Sequence, residues 1–391
     1  MAGERDLDIA LYGATGFTGG LTAEYLATSA PAETRWALAG RDRAKLEAVR
    51  TRLAKINPIC ADLALVHADS TDPASLAALA AQARCVVTTV GPYVKYGEPL
   101  VAACAGAGTD YLDLTGEPGF VDDMYLRHHA TALSSGARLV HCCGFDSIPH
   151  DLGVLFTVLQ LPEGVPLRID GYVRAGGRPS GGTFNTMLEG APRFREWQKL
   201  AAKRKQVEPR PENRKVRAAR PLPGRAPDGG WSLPMPTIDP QIVLRSARAL
   251  DRYGPDFTYT HNVAPKHLAT AAGLVAGTAS LILAAQISPV RRFLGKRLAP
   301  GDGPSAEQRA KGWFKVRFTG EGGGKRVVTQ VSGGDPGYGE TARMLGESAL
   351  CITRDELPDR AGQLTPAVAM GEALIDRLDA IGIAFEVLER G

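Results

Sequence analysis

The stretch that decides the fold of this chain is Leu7-Asp8-Ile9-Ala10-Leu11-Tyr12-Gly13-Ala14-Thr15-Gly16-Phe17-Thr18-Gly19. A short apolar strand runs into glycines spaced G-x-x-G-x-x-G, and a helix-like segment follows. Gly13 permits the turn off the strand, Gly16 lets phosphates approach the backbone, and Gly19 lets the helix pack on the strand. The N–H groups at the helix start then face negative charge. This order predicts a dinucleotide site made by Gly13, Thr15, Gly16, Phe17, Thr18 and Gly19. A glycine-rich turn without a ligand is the alternative.

The residues at the end of the second predicted strand, 35–40, indicate which nicotinamide cofactor the site binds. An NAD site would end this strand with Asp or Glu, which binds the ribose 2′-hydroxyl. This chain has Gly40-Arg41 instead. A carboxylate would repel a 2′-phosphate, whereas a guanidinium can bind one through two hydrogen bonds. Arg41 therefore predicts NADP(H); a solvated arginine at a helix start is the alternative.

Composition sets the broad class of the protein. The 391 residues suggest two domains, and 44% hydrophobic content is typical of a globular protein. The net charge of +4 is modest for this length and does not by itself imply nucleic acid. The six cysteines form no C-x-x-C pair, so we expect no metal site. The N-terminus lacks the features of a signal peptide, which favours a cytoplasmic location.

Strand and helix patterns alternate over residues 1–150, which predicts an α/β fold with a doubly wound parallel Rossmann sheet. The predicted strands are 7–12, 35–40, 64–68, 85–89, 110–113 and 138–142. Residues 151–391 predict a second, α+β domain, with a hairpin around Glu321-Gly322-Gly323-Gly324. Helices are expected over 341–352 and 366–378, and a C-terminal helix packing back on the first domain is expected.

Two segments of the second domain stand out. Residues 203–225 are basic and proline-rich, which predicts a solvated loop, with a lid or a contact for anionic lipid or carrier as the alternative. Residues 268–287 are apolar and precede Arg291, Arg292, Lys296 and Arg297. This pattern favours a packed or interfacial helix at the inner face of the membrane. A spanning helix and a buried helix are the alternatives.

The loop after the fourth strand is expected to line the nicotinamide. Thr89, Gly91 and Pro92 lie there, because parallel strands present ligands at their carboxyl ends. Tyr93 and Tyr96 follow, with Lys95 between them, and a phenol near a cation can act as a general acid. Simple packing of both rings is the alternative.

Acidic side chains follow three other strands. Asp69 follows the third strand and is a candidate for the adenine amino group, with a turn role as the alternative. Asp110–Glu117 place acidic and hydroxyl groups at the fifth strand. Asp146, after the sixth strand, is a candidate catalytic group, with a helix cap as the alternative. His150 follows one turn later. No G-x-S-x-G elbow is present, which excludes that class of hydrolase.

Together these motifs resemble the saccharopine dehydrogenase-like oxidoreductases, over nearly the whole chain. The matching pieces are Gly13–Gly19, Ala39-Gly40-Arg41, Thr89–Tyr93, Tyr96-Gly97, Gly108–Glu117, Cys143–Pro149, Gly181-Gly182-Thr183 and Leu364–Gly371. The resemblance is nearest to the actinobacterial trans-acting enoyl reductase branch. It implies an NADPH-dependent reductase that reduces an α,β-unsaturated acyl thioester in lipid or glycolipid synthesis.

The resemblance also implies partners. These are a carrier-bound acyl substrate, a polyketide synthase or acyl carrier, a membrane surface and a second copy of the chain; nucleic acid is not expected. Two alternatives remain open. One is a saccharopine-type dehydrogenase acting on an imine or amino acid, and the other is a non-catalytic NADP-binding scaffold at a membrane.

Overall fold

A seven-stranded parallel sheet forms around the first strand and takes its last strand from far along the chain. The computed structural model describes residues 5–177, 181–220, 222–287, 290 and 303–391, and only the backbone of 181–192, 279, 282 and 285. The strand order is β14-β6-β5-β4-β1-β2-β3. Its members are β1 (Leu7–Tyr12), β2 (Trp36–Gly40), β3 (Ala64–His67), β4 (Ala83–Thr88), β5 (Asp110–Asp113), β6 (Arg138–Val140) and β14 (Gly362–Leu364).

The side chains of β1 explain why this sheet is covered on both faces. All six residues of the strand are buried. Ile9 and Leu11 join one hydrophobic cluster, while Ala10 and Tyr12 join another on the opposite face. Strands buried on both faces read as continuous apolar runs, which is the pattern that the sequence carries here. The predicted doubly wound sheet is therefore confirmed.

Helices cover both faces of this parallel sheet, and other helices pack against a second, mixed sheet. Those described are α1 (Phe17–Ser29), α2 (Arg43–Ala54), α3 (Pro73–Gln82), α4 (Tyr93–Tyr96), α5 (Glu98–Ala107), α6 (Pro118–Ser135), α7 (Ile148–Leu159), α8 (Gly181–Val207), α9 (Asp239–Ala249), α10 (Leu268–Gln286), α11 (Ala306–Arg309), α12 (Gly339–Arg354), α13 (Pro366–Ala369) and α14 (Gly371–Ala380). Short 3-10 turns occupy Pro58–Asp62 and Asp251–Tyr253.

A mixed sheet of eight strands forms the second layer. Its order is β15-β13-β12-β7-β11-β10-β9, with β8 also pairing with β11. The strands are β7 (Leu167–Gly176), β8 (Lys215–Ala218), β9 (Gly224–Arg225), β10 (Trp231–Pro234), β11 (Asp256–Val263), β12 (Trp313–Gly322), β13 (Lys325–Gly333) and β15 (Ala384–Arg390). The predicted hairpin joins β12 to β13 through Gly323 and Gly324, whose φ angles of +59° and +75° suit the tight turn.

Helix α7 connects the two sheets. It begins just after β6 and packs on β7, β12 and β13. Gly153 on this helix lies against Phe318, because a β-carbon there would be 2.4 Å from the ring. Residues of both sheets belong to one continuous hydrophobic cluster. Helix α12, from the C-terminal part of the chain, packs on α1, β4 and β5.

Three segments differ from the sequence expectations. Residues 203–225 are not one loop: α8 extends to Val207, β8 pairs with β11, and Arg204 is only 3% exposed because it is ion-paired inside the protein. The helix expected over 366–378 is split at Gly371, where φ is +48°. β6 ends at Val140, before Cys142, whose φ is +65°.

The apolar stretch near residue 270 is helix α10, and several of its large side chains are exposed. These include Leu268 (59%), Val275 (56%) and Leu283 (69%). Within the ranges given above, no helix is at once long enough and apolar enough to cross a bilayer. The basic residues expected to flank this helix, Arg291, Arg292, Lys296 and Arg297, lie outside the described residues.

Candidate active site

The turn between β1 and α1 has the shape that a pyrophosphate requires. Gly13 has a φ of +93°, and its carbonyl accepts a hydrogen bond from Gly16 N at 2.9 Å. Gly19 lies against the same carbonyl, because a β-carbon at position 19 would be 2.1 Å from Gly13 O. At Gly16 a β-carbon would meet only Gly13 O, at 3.4 Å. The turn therefore has no room for a side chain where it meets the helix, at Gly19, but leaves space for a ligand at Gly16.

The start of α1 offers backbone N–H groups to an anion. Gly16 is the N-cap, and glycine has no side chain to cover the first-turn donors. Thr15 is exposed there, and Thr18 is half-buried. Because the macrodipole adds positive charge at this end of the helix, the residues present fit a bound dinucleotide phosphate.

The side chain of Phe17 points toward residues from the second half of the chain. Its ring makes an edge contact with Tyr338, at 4.9 Å between centroids, and the Arg309 guanidinium lies 5.5 Å from its centre. Gly303 packs on the same ring. Phe17 therefore anchors the phosphate turn to the C-terminal segments and contributes its backbone, rather than its ring, to the first turn of α1.

Arg41 and Asp69 follow neighbouring strands, at the same edge of the sheet. Arg41 is exposed immediately after β2, where a 2′-phosphate is expected. Asp69 accepts hydrogen bonds from the backbone N and the hydroxyl of Thr71, at 2.9 and 2.8 Å, which lower the pKa of its carboxyl. The Asp69 side chain thus stabilises a turn in this structure, which was the alternative considered for it.

Hydrogen bonds to Glu117 and to Gly13 fix the position of the loop after β4. Glu117, 4% exposed, accepts hydrogen bonds from the backbone N atoms of Tyr93 and Val94 at 3.0 and 2.8 Å. Thr89 Oγ1 donates to Gly13 O at 3.3 Å, so this loop touches the phosphate turn. Gly91 and Pro92, joined by a cis peptide bond, lie between these anchors. The structure thus brings Gly13, Gly19 and Thr89 together.

The two tyrosines proposed as acids occupy different environments. The hydroxyl of Tyr93 donates to Thr88 O at 3.1 Å and accepts from Leu114 N at 3.2 Å. Its ring is buried, and burial raises the pKa of the phenol well above its usual value. This geometry favours a structural role for Tyr93. Tyr96, at the end of α4, is 41% exposed.

Asp146 lies in a strained segment between β6 and α7. Cys142 and Ser147, on either side of it, have φ angles of +65° and +118°. Such conformations are unfavourable for residues other than glycine and concentrate at functional sites. Burial, and then the charge of Asp239, raise the pKa of the half-buried Asp146 to about 7. Its carboxyl can therefore hold or release a proton near neutral pH.

Asp239, the first residue of α9, is the centre of a buried polar group behind Asp146. Ser147 Oγ donates to its Oδ1 at 3.2 Å, and the Thr237 hydroxyl donates to its Oδ2. His150 Nδ1 lies 3.3 Å from Oδ1, and His261 Nε2 lies 3.3 Å from Oδ2. The two neighbouring imidazoles hold the pKa of this carboxyl well below its usual value although burial opposes them.

A second buried pair, Asp113 and His141, stands at the ends of β5 and β6. Asp113 is fully buried; it accepts from Tyr111 OH at 2.9 Å and from the backbone N atoms of Thr115 and Cys142, both at 3.0 Å. His141 Nδ1 lies 2.6 Å from its Oδ2. His141 also lines a cavity of about 430 Å³ with Arg204 and others. This pair fixes the loop that carries Asp146.

Sequence reasoning missed Asp239 and His261 as members of this region. They lie more than eighty residues beyond His150, on elements of the second sheet layer, and nothing in their local sequence marks them. His141 lies within the predicted strand 138–142, and the acidic side chains at the end of the neighbouring strand were the signal that could have found it. The sequence did single out Asp146 and His150.

Comparison with known proteins agrees with this architecture. The family model described as the saccharopine dehydrogenase NADP binding domain matches residues 9–140. A putative trans-acting enoyl reductase of Mycobacterium tuberculosis (strain H37Rv) is 41% identical, over 98% of this chain and 97% of the relative. The trans-acting enoyl reductase of Mycobacterium ulcerans is 36% identical over 97% of both chains.

A solved structure shares the fold at low sequence identity. The apo saccharopine dehydrogenase (L-Glu forming) from Saccharomyces cerevisiae superposes with a TM-score of 0.53 at 12% identity, covering 98% of this chain and 99% of that one. This likeness extends over both sheets. It supports a two-layer arrangement of a parallel sheet and a mixed sheet joined by a buried helix.

Proposed function

The chain belongs to the saccharopine dehydrogenase family and is an NADP-dependent oxidoreductase, and we propose that it reduces the α,β double bond of a carrier-bound acyl thioester. The observation that carries this proposal is the near-full-length similarity to proteins named trans-acting enoyl reductase. That similarity spans the mixed sheet as well as the nucleotide domain.

The proposed cofactor site uses the residues described above. Gly13, Gly16 and Gly19, with the backbone of Thr15, Phe17 and Thr18, bind the pyrophosphate. Arg41 binds the 2′-phosphate, while Thr89, Gly91 and Pro92 border the nicotinamide. Bound here, NADPH would supply the hydride for the β-carbon of the substrate. The protein must hold the two reactants together and exclude water.

Asp146 is the proposed proton donor to the α-carbon. Its carboxyl is half-buried and follows the carboxyl end of β6. Burial, and then the charge of Asp239, raise its pKa to about 7, which suits a general acid. Tyr93 is a weaker candidate because its hydroxyl is already bonded to Thr88 and Leu114. Asp146 would be reprotonated from solvent through its exposed side.

A membrane contact is the finer part of the proposal. The exposed side chains of Leu268, Leu274, Val275 and Leu283 give α10 an apolar surface, which continues at Ile287 just after the helix, and basic residues follow in the sequence. Such a helix suits the interface of an anionic membrane or a lipid-bearing substrate. Sedimentation with vesicles of phosphatidylglycerol should carry the protein down at low salt, and Leu283→Glu should weaken this binding.

The experiment for the activity compares two substrate classes. The purified protein is incubated with NADPH and either α,β-unsaturated acyl thioesters or an amino acid plus a keto acid, and NADPH absorbance is followed. Oxidation only with the thioesters, at a rate that depends on chain length, supports the enoyl reductase. Oxidation with the amino acid and keto acid would instead identify a saccharopine-type dehydrogenase. NADPH binding without turnover of either class would support a scaffold.

A further inference from the structure

Three metal-ligating side chains from three separate elements meet beneath the segment that carries Asp146. His150 comes from α7, Asp239 from the start of α9 and His261 from β11, and they are 1%, 1% and 4% exposed. One nitrogen or oxygen atom of each lies within 4.8 Å of the others. We propose that His150, Asp239 and His261 bind a divalent transition-metal ion, with zinc as the best match.

The spacing of these groups suits a cation better than direct hydrogen bonds. Both imidazole–carboxylate separations are 3.3 Å, whereas charge-assisted N–H···O bonds are typically about 2.7–2.9 Å. Ligand atoms at about 2.0–2.1 Å from a tetrahedral zinc ion lie about 3.3–3.4 Å apart, and the centres of two such imidazoles about 5.2 Å apart. The centroids of His150 and His261 are 5.1 Å apart, with 73° between the ring planes. The two 3.3 Å contacts run to different oxygens of Asp239, and the three ligand atoms lie within 4.8 Å of one another, so the side chains would turn inward to bind one ion.

The nitrogen atoms that would bind the ion lack hydrogen-bond partners. Among the described residues, this holds for both ring nitrogens of His150 and for Nε2 of His261, all of which are buried. A buried polar atom without a partner is unfavourable and is commonly explained by an ion or water.

The groups around the cluster are those that orient metal ligands in proteins. Tyr259 OH lies 2.9 Å from His261 Nδ1, the ring nitrogen opposite to the proposed ligand atom. Ser147 and Thr237 donate to the two oxygens of Asp239, which leaves further lone pairs of the carboxylate for an ion. Hydrogen bonds of this kind fix the orientation of metal-bound His and carboxylate groups.

The chemistry of the three proposed ligands indicates which class of metal ion they would bind. Two imidazoles and one carboxylate are typical of zinc and of other first-row transition metals, and differ from the all-oxygen sites of Ca²⁺ and Mg²⁺. A bound ion would join α7 to α9 and β11, and so fasten the strained segment 142–147 to the second layer. This inference does not depend on the proposed enoyl reductase activity.

The test measures metal in the full-length protein. Elemental analysis after dialysis should give about one equivalent of zinc per chain, and Co²⁺ added to chelator-treated protein should give the visible absorption of a tetrahedral nitrogen–oxygen site. Zinc should also raise the melting temperature of the chelated protein. His150→Gln and His261→Gln should each lose the absorption and the zinc-dependent rise, whereas His267→Gln, at an exposed position, should keep both.

The same measurements can overturn the proposal. Wild-type protein that carries far less than one equivalent, shows no Co²⁺ absorption and melts at the same temperature with and without zinc holds no metal here. Zinc binding that His267→Gln abolishes, or that both cluster variants retain, places the ion elsewhere. If either cluster variant fails to fold, the stoichiometry and spectrum of the wild-type protein still decide.

Discussion

Gly19 packs directly on the carbonyl oxygen of Gly13, so closely that a β-carbon at position 19 would lie 2.1 Å from that oxygen. The same β-carbon would be 2.7 Å from Thr89 Oγ1. One contact thus joins the first turn of α1, the end of β1 and the loop after β4. The glycine spacing in the sequence encodes this packing as well as room for a phosphate.

Gly19→Ala should therefore destabilise the fold, whereas Gly16→Ala should mainly weaken cofactor binding. Overpacking against backbone atoms costs about 1–3 kcal/mol or more, because the Gly13 carbonyl cannot rotate away. At Gly16 a β-carbon meets only one atom, at 3.4 Å, yet it projects where the pyrophosphate would lie. Thermal denaturation and NADPH titration of both variants separate the two effects. Equal melting temperatures would contradict the packing argument.

Arg41→Ala should reduce the affinity for NADPH about 10- to 100-fold and leave the affinity for NADH nearly unchanged. A hydrogen bond to a charged group contributes about 1.5–3 kcal/mol, and only NADPH carries the 2′-phosphate. Fluorescence titration with both nucleotides measures the difference.

The matched control for this experiment is Arg43→Ala. Arg43 is also exposed, and it pairs with Glu47 at 3.1 Å on the surface of α2. Its loss should change both affinities little. If Arg41→Ala lowers the affinities for NADPH and NADH equally, or lowers neither, the assignment of the 2′-phosphate to Arg41 is wrong.

Much of the nucleotide domain could be predicted because its signals are local. The apolar run of β1, the glycine turn and the alternation of strands and helices each depend on neighbouring residues. The structure reproduces the predicted bounds of β1 and β5 and shifts other strands by one or two residues. The addition of β14 to the sheet, from more than two hundred residues away, has no such local signal.

The candidate site was only partly predictable for the same reason. Asp146 and Tyr93 were named as candidates because they follow strands, but their sequence positions do not reveal which hydroxyl or carboxyl is taken up by hydrogen bonds inside the protein. The cluster of His150, Asp239 and His261 forms only through contacts between α7, α9 and β11, which no local sequence pattern reveals. Likewise the basic composition of residues 203–225 predicted a solvated loop. One acidic partner of Arg204, Glu208, is local, but the other, Asp122, is 82 residues away in sequence.

Asp146→Asn should lower kcat about 10²- to 10⁴-fold without weakening NADPH binding, because it removes a proton donor and keeps the shape of the side chain. The relevant measurements are steady-state turnover with an active thioester and a separate nucleotide titration. Tyr96→Phe should retain turnover. Loss of turnover in Tyr96→Phe, with Asp146→Asn still active, would transfer the donor role to Tyr96.

The rate should also fall as pH rises through about 7. A general acid must be protonated, and the pKa of Asp146 is raised to about 7 by burial and by the charge of Asp239. Enzyme with a protonated Asp146 therefore predominates below this pH and declines above it. The profile of kcat against pH should be recorded with a chelator present, so that no cation offsets the charge of Asp239. A flat profile between pH 6 and 8, roughly the range over which this carboxyl titrates, would argue against Asp146 as the donor.

Asp122 is expected to be a major contributor to stability, because it lies on α6 and accepts hydrogen bonds from two other helices, α8 and α9. This residue of α6 is 1% exposed; it accepts from Arg204 Nη1 of α8 at 3.4 Å, and from Gln241 Nε2 and Arg245 Nη2 of α9, at 3.0 Å for the former. Asp122→Ala leaves two largely buried guanidinium groups short of a partner, which costs about 3–5 kcal/mol. Urea denaturation gives the free energy of unfolding.

The next residue along α6 is the control for this prediction. Asp123 pairs with Arg127 at 3.2 Å, and the Arg127 side chain is 54% exposed, so solvent weakens the interaction. Asp123→Ala should therefore change the free energy of unfolding by about 0–1 kcal/mol. Two adjacent carboxylates on one helix would then differ several-fold because only one of them lies between α6, α8 and α9. Equal losses from the two substitutions would show that Glu208, the other acid beside Arg204, is sufficient to balance both arginines.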